Sequence, residues 1–136
     1  MTVNEQLKGQ LDHADIPPEI RASLRLSLDV LLAAYEEDDD PHKVPPDSKS
    51  FGNLLTFLSH PYHRLWVSPA IAINPEGVFV AVWEEPGAHR WILNFSPAGE
   101  IEQIYLRTDH DGRIHDRTRK SRLGDYIYPF FSVATR

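Results

Sequence analysis

The side chains with the most chemistry to offer are the seven histidines and the aspartates that fall among them. Asp109, His110, Asp111, His115 and Asp116 crowd hard and borderline metal ligands into one short stretch, and His60-Pro-Tyr-His63 sets two imidazoles three apart across a proline. Neither cluster has the spacing of a zinc site or of a 2-His-1-carboxylate site, and there is no H-E-x-x-H. Asp109-x-Asp111-Gly112 has the opening of a calcium loop but lacks its later oxygen ligands and closing glutamate. The same residues make a β-turn, which is the preferred reading. A metal-dependent hydrolase is therefore the third of three function classes, and no metal or cofactor is expected.

Other catalytic arrangements have less behind them. Glu84, Glu85 and His89 gather around one hairpin, whose tip is expected to be solvated rather than a cleft that would tune a general acid or base. Ser59, Ser68, Ser96, Ser121 and Ser132 sit in no G-x-S-x-G context, and there is neither a phosphate-binding loop nor a dinucleotide fingerprint. With no cysteine, thiolate nucleophiles, thiolate zinc ligands and disulfides are all excluded. The balance leans away from an enzyme.

Charge gives a more specific signal. Between Arg107 and Arg122, six bases (Arg107, Arg113, Arg117, Arg119, Lys120, Arg122) stand against Asp109, Asp111 and Asp116, a local net of +3 in a chain of net −6. Guanidinium forks bind phosphates or carboxylates in pairs of hydrogen bonds, and Tyr126 and Tyr128 lie close enough in sequence to stack on bases. The same charge can instead pair with the acidic run Glu36 to Asp40 or simply aid solubility. Arg113, Arg117, Arg119 and Arg122 are the polar candidates for partner contact.

Those residues must be positioned by a sheet. Leu65 to Arg107 reads as four consecutive strands joined by Asn74-Pro-Glu-Gly77, Glu85-Pro-Gly-Ala88 and Ser96-Pro-Ala-Gly99, connections short enough for antiparallel hairpins. Gly77 to Trp83 is apolar on both alternations, with Val78, Val80 and Val82 on one and Phe79, Ala81 and Trp83 on the other, so both its faces want cover. Pro69 confines the first strand to an edge or a bulge. Arg113 to Thr118 adds a fifth strand, Arg119 to Gly124 reads as irregular, and the aromatic Tyr126 to Val133 is expected to pack on the core.

Ahead of the sheet, residues 4–13 make a short helix with Leu7 and Leu11 four apart. Ile20, Leu24, Leu28, Leu31 and Tyr35 stripe a longer helix from Pro18 to Glu37, which proline starts and five carboxylates end. Ser50 is placed as the cap of a third helix, Phe51 to Ser59. These helices cover one sheet face. The other is expected to carry Phe79 and Trp83, with Trp91 across the hairpin from Trp83, as an aromatic face for a protein partner or a second copy of the chain.

With 136 residues, 41% hydrophobic and 25% charged, the chain has the makeup of one α+β domain: N-terminal helices packed on an antiparallel β-meander of four to six strands. Residues 36–50 form an acidic, proline-rich internal loop rather than a boundary. Met1-Thr-Val-Asn-Glu-Gln lacks the basic and apolar regions of a secretory signal and no run is long enough to span a membrane, so a cytoplasmic protein without membrane contact is expected.

Phe51 through Leu58, followed by Pro69-Ala-Ile-Ala-Ile-Asn-Pro-Glu-Gly-Val-Phe-Val-Ala-Val-Trp83, resembles a pattern in small bacterial proteins with a short helix, a proline-led strand, a glycine turn and a strand ending in tryptophan. The resemblance covers a minor part of the chain and transfers no catalytic residue. It implies an accessory role of the antitoxin-like or immunity-like kind. The absence of a catalytic constellation, the acidic chain with its local basic segment and the two-sidedly apolar central strand make non-enzymatic protein binding the leading expectation, and nucleic-acid binding through 107–122 is the alternative.

Overall fold

The computed structural model describes residues 2–60, 67–85 and 89–125. Its order is α1 (Val3–His13), α2 (Pro18–Glu37), α3 (Ser48–Ser59), then β1 (Ala70–Ile73), β2 (Phe79–Glu85), β3 (His89–Phe95), β4 (Glu100–Thr108) and β5 (Ile114–Arg122). The strands form one antiparallel sheet in sequence order, so the fold is α+β with a five-strand meander. The expected packing of Tyr126 to Val133, like the positions of His63 and Trp66, lies outside the described residues.

Local chemistry explains the helix ends. Thr2 accepts from the Glu5 N–H at the start of α1. Pro18 opens α2, and Glu19 places a carboxylate in its first turn. The acidic run does end α2, at Glu37, and Lys43 returns from the linker to donate to the Tyr35 carbonyl at 2.7 Å with its ammonium over the Tyr35 ring. That cation offsets carboxylates standing at the negative end of the helix dipole.

α3 starts earlier than expected. Asp47, not Ser50, is the cap, accepting from the Ser50 N–H at 2.9 Å. Ser50 is instead fully buried and joins the helix to the sheet: its hydroxyl donates to the Phe95 carbonyl (2.6 Å) and accepts from the Phe79 N–H (2.8 Å). The β2–β3 ladder runs from Glu85↔His89 to Val80↔Asn94, and Phe79 and Phe95 are the next pair in that register. Where the next rung would form, the serine hydroxyl bridges the two strands. Asn53 donates to the Ser96 carbonyl one turn further along, and Gln10 of α1 donates to the Ser48 carbonyl.

This anchorage decides which sheet face is covered. Phe51 packs on Phe79 (ring centroids 4.7 Å apart) and Phe57 on Phe95 (5.5 Å), while Trp83 and Trp91 meet at 5.0 Å across the hairpin as the spacing implied. The covered face thus carries Phe79, Ala81, Trp83, Trp91, Leu93, Phe95 and Ile101, packed against Leu7, Leu11, Leu24, Leu28 and Leu54 from the helices. The expected assignment of faces is therefore reversed: Phe79 and Trp83 lie under the helices. Val80, Val82, Ile92 and Ile104 point the other way.

β1 is an edge strand as expected, although it is shorter than the sequence suggests and begins only after Pro69. One strand is corrected. β5 runs on to Arg122, so Arg119 to Arg122 is strand and not irregular. Its full ladder with β4, from Thr108↔Ile114 to Glu100↔Arg122, supplies the order that a polar sequence does not signal.

The proline-rich linker is held by backbone. Asp47 donates its N–H to the Gly77 carbonyl, and a β-carbon at Gly77, whose φ is +81°, would stand 2.4 Å from the Pro45 carbonyl oxygen. Only glycine fits there.

These contacts predict two stability losses. Ser50→Ala leaves a buried N–H and a buried carbonyl without their shared partner, and should cost about 1–3 kcal/mol. Gly77→Ala adds a clash to an unfavourable φ and should exceed about 1 kcal/mol. Urea unfolding should show lower midpoints at unchanged slope; a Ser50→Ala midpoint equal to that of the parent chain would refute the bridging role.

Candidate functional site

The helices stop short of one side of the sheet. α2 packs on β1 and α3 on β2 and β3, whereas among the described residues no helix backbone comes close to β4 or β5, and β4 joins the helix-packed core through Ile101. β4 and β5 therefore form a two-stranded ribbon, nine residues a side, attached to the rest of the sheet through β3. Every β5 residue except Ser121 is exposed.

Register then sorts the ribbon's charges. On the helix-side face the paired residues are Arg107↔His115, Tyr105↔Arg117, Gln103↔Arg119 and Ile101↔Ser121. On the opposite face are Glu100↔Arg122, Glu102↔Lys120, Ile104↔Thr118 and Leu106↔Asp116. Three arginines thus share the first face with no acid between Ile101 and Arg107 opposite them. The second face mixes three carboxylates with two cations, of which Lys120 pairs with Glu100 at 3.7 Å. Across the full ribbon, Glu100 to Arg122, six bases meet five acids, so the net falls to +1. The basic segment is neutralised largely by the strand beside it.

The row Trp83–Trp91–Tyr105–Arg117 runs from core to cation across four strands. Two residues along β3 from Trp91, the His89 ring stacks on Tyr105 (5.9 Å between centroids), with Nδ1 2.8 Å from the phenolic oxygen. Tyr105, Arg107, His115, Asp116 and Arg117 line a surface depression of about 390 Å³ there. Neither Arg107 nor Arg117 has an ion-pair partner among the described residues.

The remaining candidates separate. Phe79, Trp83 and Trp91 are core side chains and present no surface to a partner. Arg117 and Arg119 share a face, Arg122 lies on the other, and Arg113 sits at the ribbon's tip. Sequence reasoning did not select Arg107, His115, Tyr105 or His89 as site residues; only the pairing register brings them to Arg117. Glu84 and His89, adjacent in one hairpin, also part company: Glu84 pairs with Arg90 on the outer face, and His89 lies with Tyr105. The face opposite the helices holds an aliphatic groove of about 480 Å³ bordered by Ala70, Ala72, Val80, Val82 and Ile92.

Asp109 to Arg113 is a turn, as its composition indicates. Asp109 accepts from the N–H groups of Asp111 and Arg113, both at 3.0 Å, and from His115 Nε2 at 2.9 Å. The His115 hydrogen bond, followed by that of the Arg113 backbone, holds the Asp109 carboxyl below its ordinary value of 3.8. Among the described residues no three histidines, aspartates or glutamates are grouped to hold a metal, and no helix is long and apolar enough to cross a membrane. No protein-family model, curated protein or solved structure matches the chain, so its function must be read from its own geometry.

The turn supplies a titration test. A carboxyl depressed in the folded state stabilises the turn at neutral pH, and that contribution is lost as pH falls through the folded value. Carbon-detected NMR of the Asp109 carboxyl should show a midpoint below 3.8 that rises toward it in His115→Ala. An unchanged midpoint would remove His115 as the main cause.

Proposed function

We propose that the chain is a non-enzymatic binding module that engages a protein partner through the helix-side face of the β4–β5 ribbon. The observation that carries this reading is the sorting of charge: Arg107, Arg117 and Arg119 share one face of the ribbon while Glu100, Glu102 and Asp116 take the other. An exposed strand guarded by alternating charges resists adventitious edge pairing yet offers specific contacts. An accessory role of the antitoxin-like or immunity-like kind in a bacterial cytoplasm belongs to the same proposal. Asp109, the residue with a displaced pKa, supports it too, since that carboxylate is used up in closing a turn.

Nucleic acid is the second reading, because a two-stranded ribbon fits the major groove of a duplex. Charge weighs against it. A phosphate polymer would meet a ribbon of net +1 on a chain of net −6, and would lie near the carboxylates of the opposite face. A protein surface with its own mixed charges is the better complement.

Isolation of the tagged full chain from its native cells, with and without nuclease, separates the two. The expected result is a stoichiometric protein companion that survives nuclease and dissociates from an Arg107→Glu/Arg117→Glu/Arg119→Glu variant. A companion lost on nuclease treatment would favour nucleic acid, and a chain recovered alone at every salt concentration would end the protein-binding reading.

A further inference from the structure

We infer that the depression between Arg107 and Arg117 is a carboxylate-recognition site that takes an acidic segment of the partner protein. The inference rests on the protein-binding reading above and names the chemistry of what is bound. Tyr105↔Arg117 and Arg107↔His115 are successive pairs on one face, so Arg107 and Arg117 are diagonal neighbours, about 7–8 Å apart at their Cα atoms. At that spacing two guanidinium forks can converge on one carboxylate or on two consecutive ones.

Among the described residues these two arginines have no ion-pair partner, whereas Lys8 pairs with Asp29, Arg25 with Asp12, Arg90 with Glu84 and Lys120 with Glu100. Asp109, at the end of the same ribbon, is already engaged by His115 and the turn. Like charges that close on a sheet face repel, so the pair costs the isolated chain stability that a bound anion would restore. Beside them the stacked His89 and Tyr105 form a flat, partly apolar wall against which the stem of a glutamate can lie.

The ligand follows from the site's dimensions. A depression of about 390 Å³ with two forks suits a few acidic side chains, whereas nucleic acid would need a longer track of cations along its backbone.

The test titrates the full chain with an oligoglutamate peptide, its oligoglutamine counterpart and an oligothymidylate of matched length, following the Tyr105 and His115 resonances by NMR. Oligoglutamate should bind and weaken as salt rises, oligoglutamine should not bind, and Arg107→Glu/Arg117→Glu should weaken the peptide by about tenfold or more. Arg113→Glu/Arg122→Glu, equal in charge but placed at the tip and on the other face, should change it less than about twofold. All four residues are exposed, so the folded spectrum should persist and serve as the control. Equal weakening by both double variants, tighter binding of the oligothymidylate, or no binding of oligoglutamate would each overturn the site. A native protein complex that survives Arg107→Glu/Arg117→Glu would overturn the site alone and leave the protein-binding reading standing.

Discussion

The rest of this structure depends on the hydroxyl of Ser50. Placed where the β2–β3 ladder would add a rung between Phe79 and Phe95, it takes one strand's N–H and gives to the other's carbonyl. A buried donor and acceptor are expensive to leave unpaired, so this end of the sheet is closed only when α3 is seated. Helix and sheet are thereby registered to each other by polar chemistry inside an otherwise apolar core. Phe51 and Phe57, one and seven residues further along α3, then fall on Phe79 and Phe95. Hydrophobic burial supplies most of the stabilisation but is non-directional; the serine bridge gives it an address.

That address has a consequence on the far side of the sheet. Once α3 is seated over β2 and β3, with α2 over β1, the helix layer is used up and β4 and β5 extend past it. A strand without a covering layer cannot draw its order from apolar alternation. β5 accordingly has polar residues at nearly every position and is ordered by its ladder to β4 and by the Asp109 turn at one end. Freedom from core packing allows cations on one face and carboxylates on the other to be chosen for surface purposes.

How much of this can be read in the residues follows the same division. α2 declares itself through its leucine stripe, its prolines and its acid stop, and the meander through its turns; these are local signals of period and punctuation. Ser50 does not, because a serine near a helix start reads as a cap until Asp47 is seen to hold that place. β2 is apolar on both alternations, so nothing in its sequence says whether the helices take the valine face or the face of Phe79 and Trp83. The end of β5 escapes notice for want of apolar alternation. A charge count over 107–122 is likewise blind to Glu100 and Glu102, which register places opposite Arg122 and Lys120.

The candidate site is the clearest case of information held in pairing rather than in sequence. His89, Tyr105, Arg107, His115 and Arg117 come from three strands and share a face only because β3–β4 and β4–β5 have the registers they do. A slip of one residue in the β4–β5 ladder would send Arg117 to the face of Glu100 and Glu102 and Asp116 to the face of Arg107, and the charge segregation would vanish. Two constraints guard against that slip: the Asp109 turn, whose carboxylate caps the loop joining β4 to β5, and the bond from the Leu123 N–H to the Gly99 carbonyl at the ribbon's other end. The surface chemistry of the ribbon is thus set by hydrogen bonds at its two ends, just as the core is registered by one serine at the start of α3.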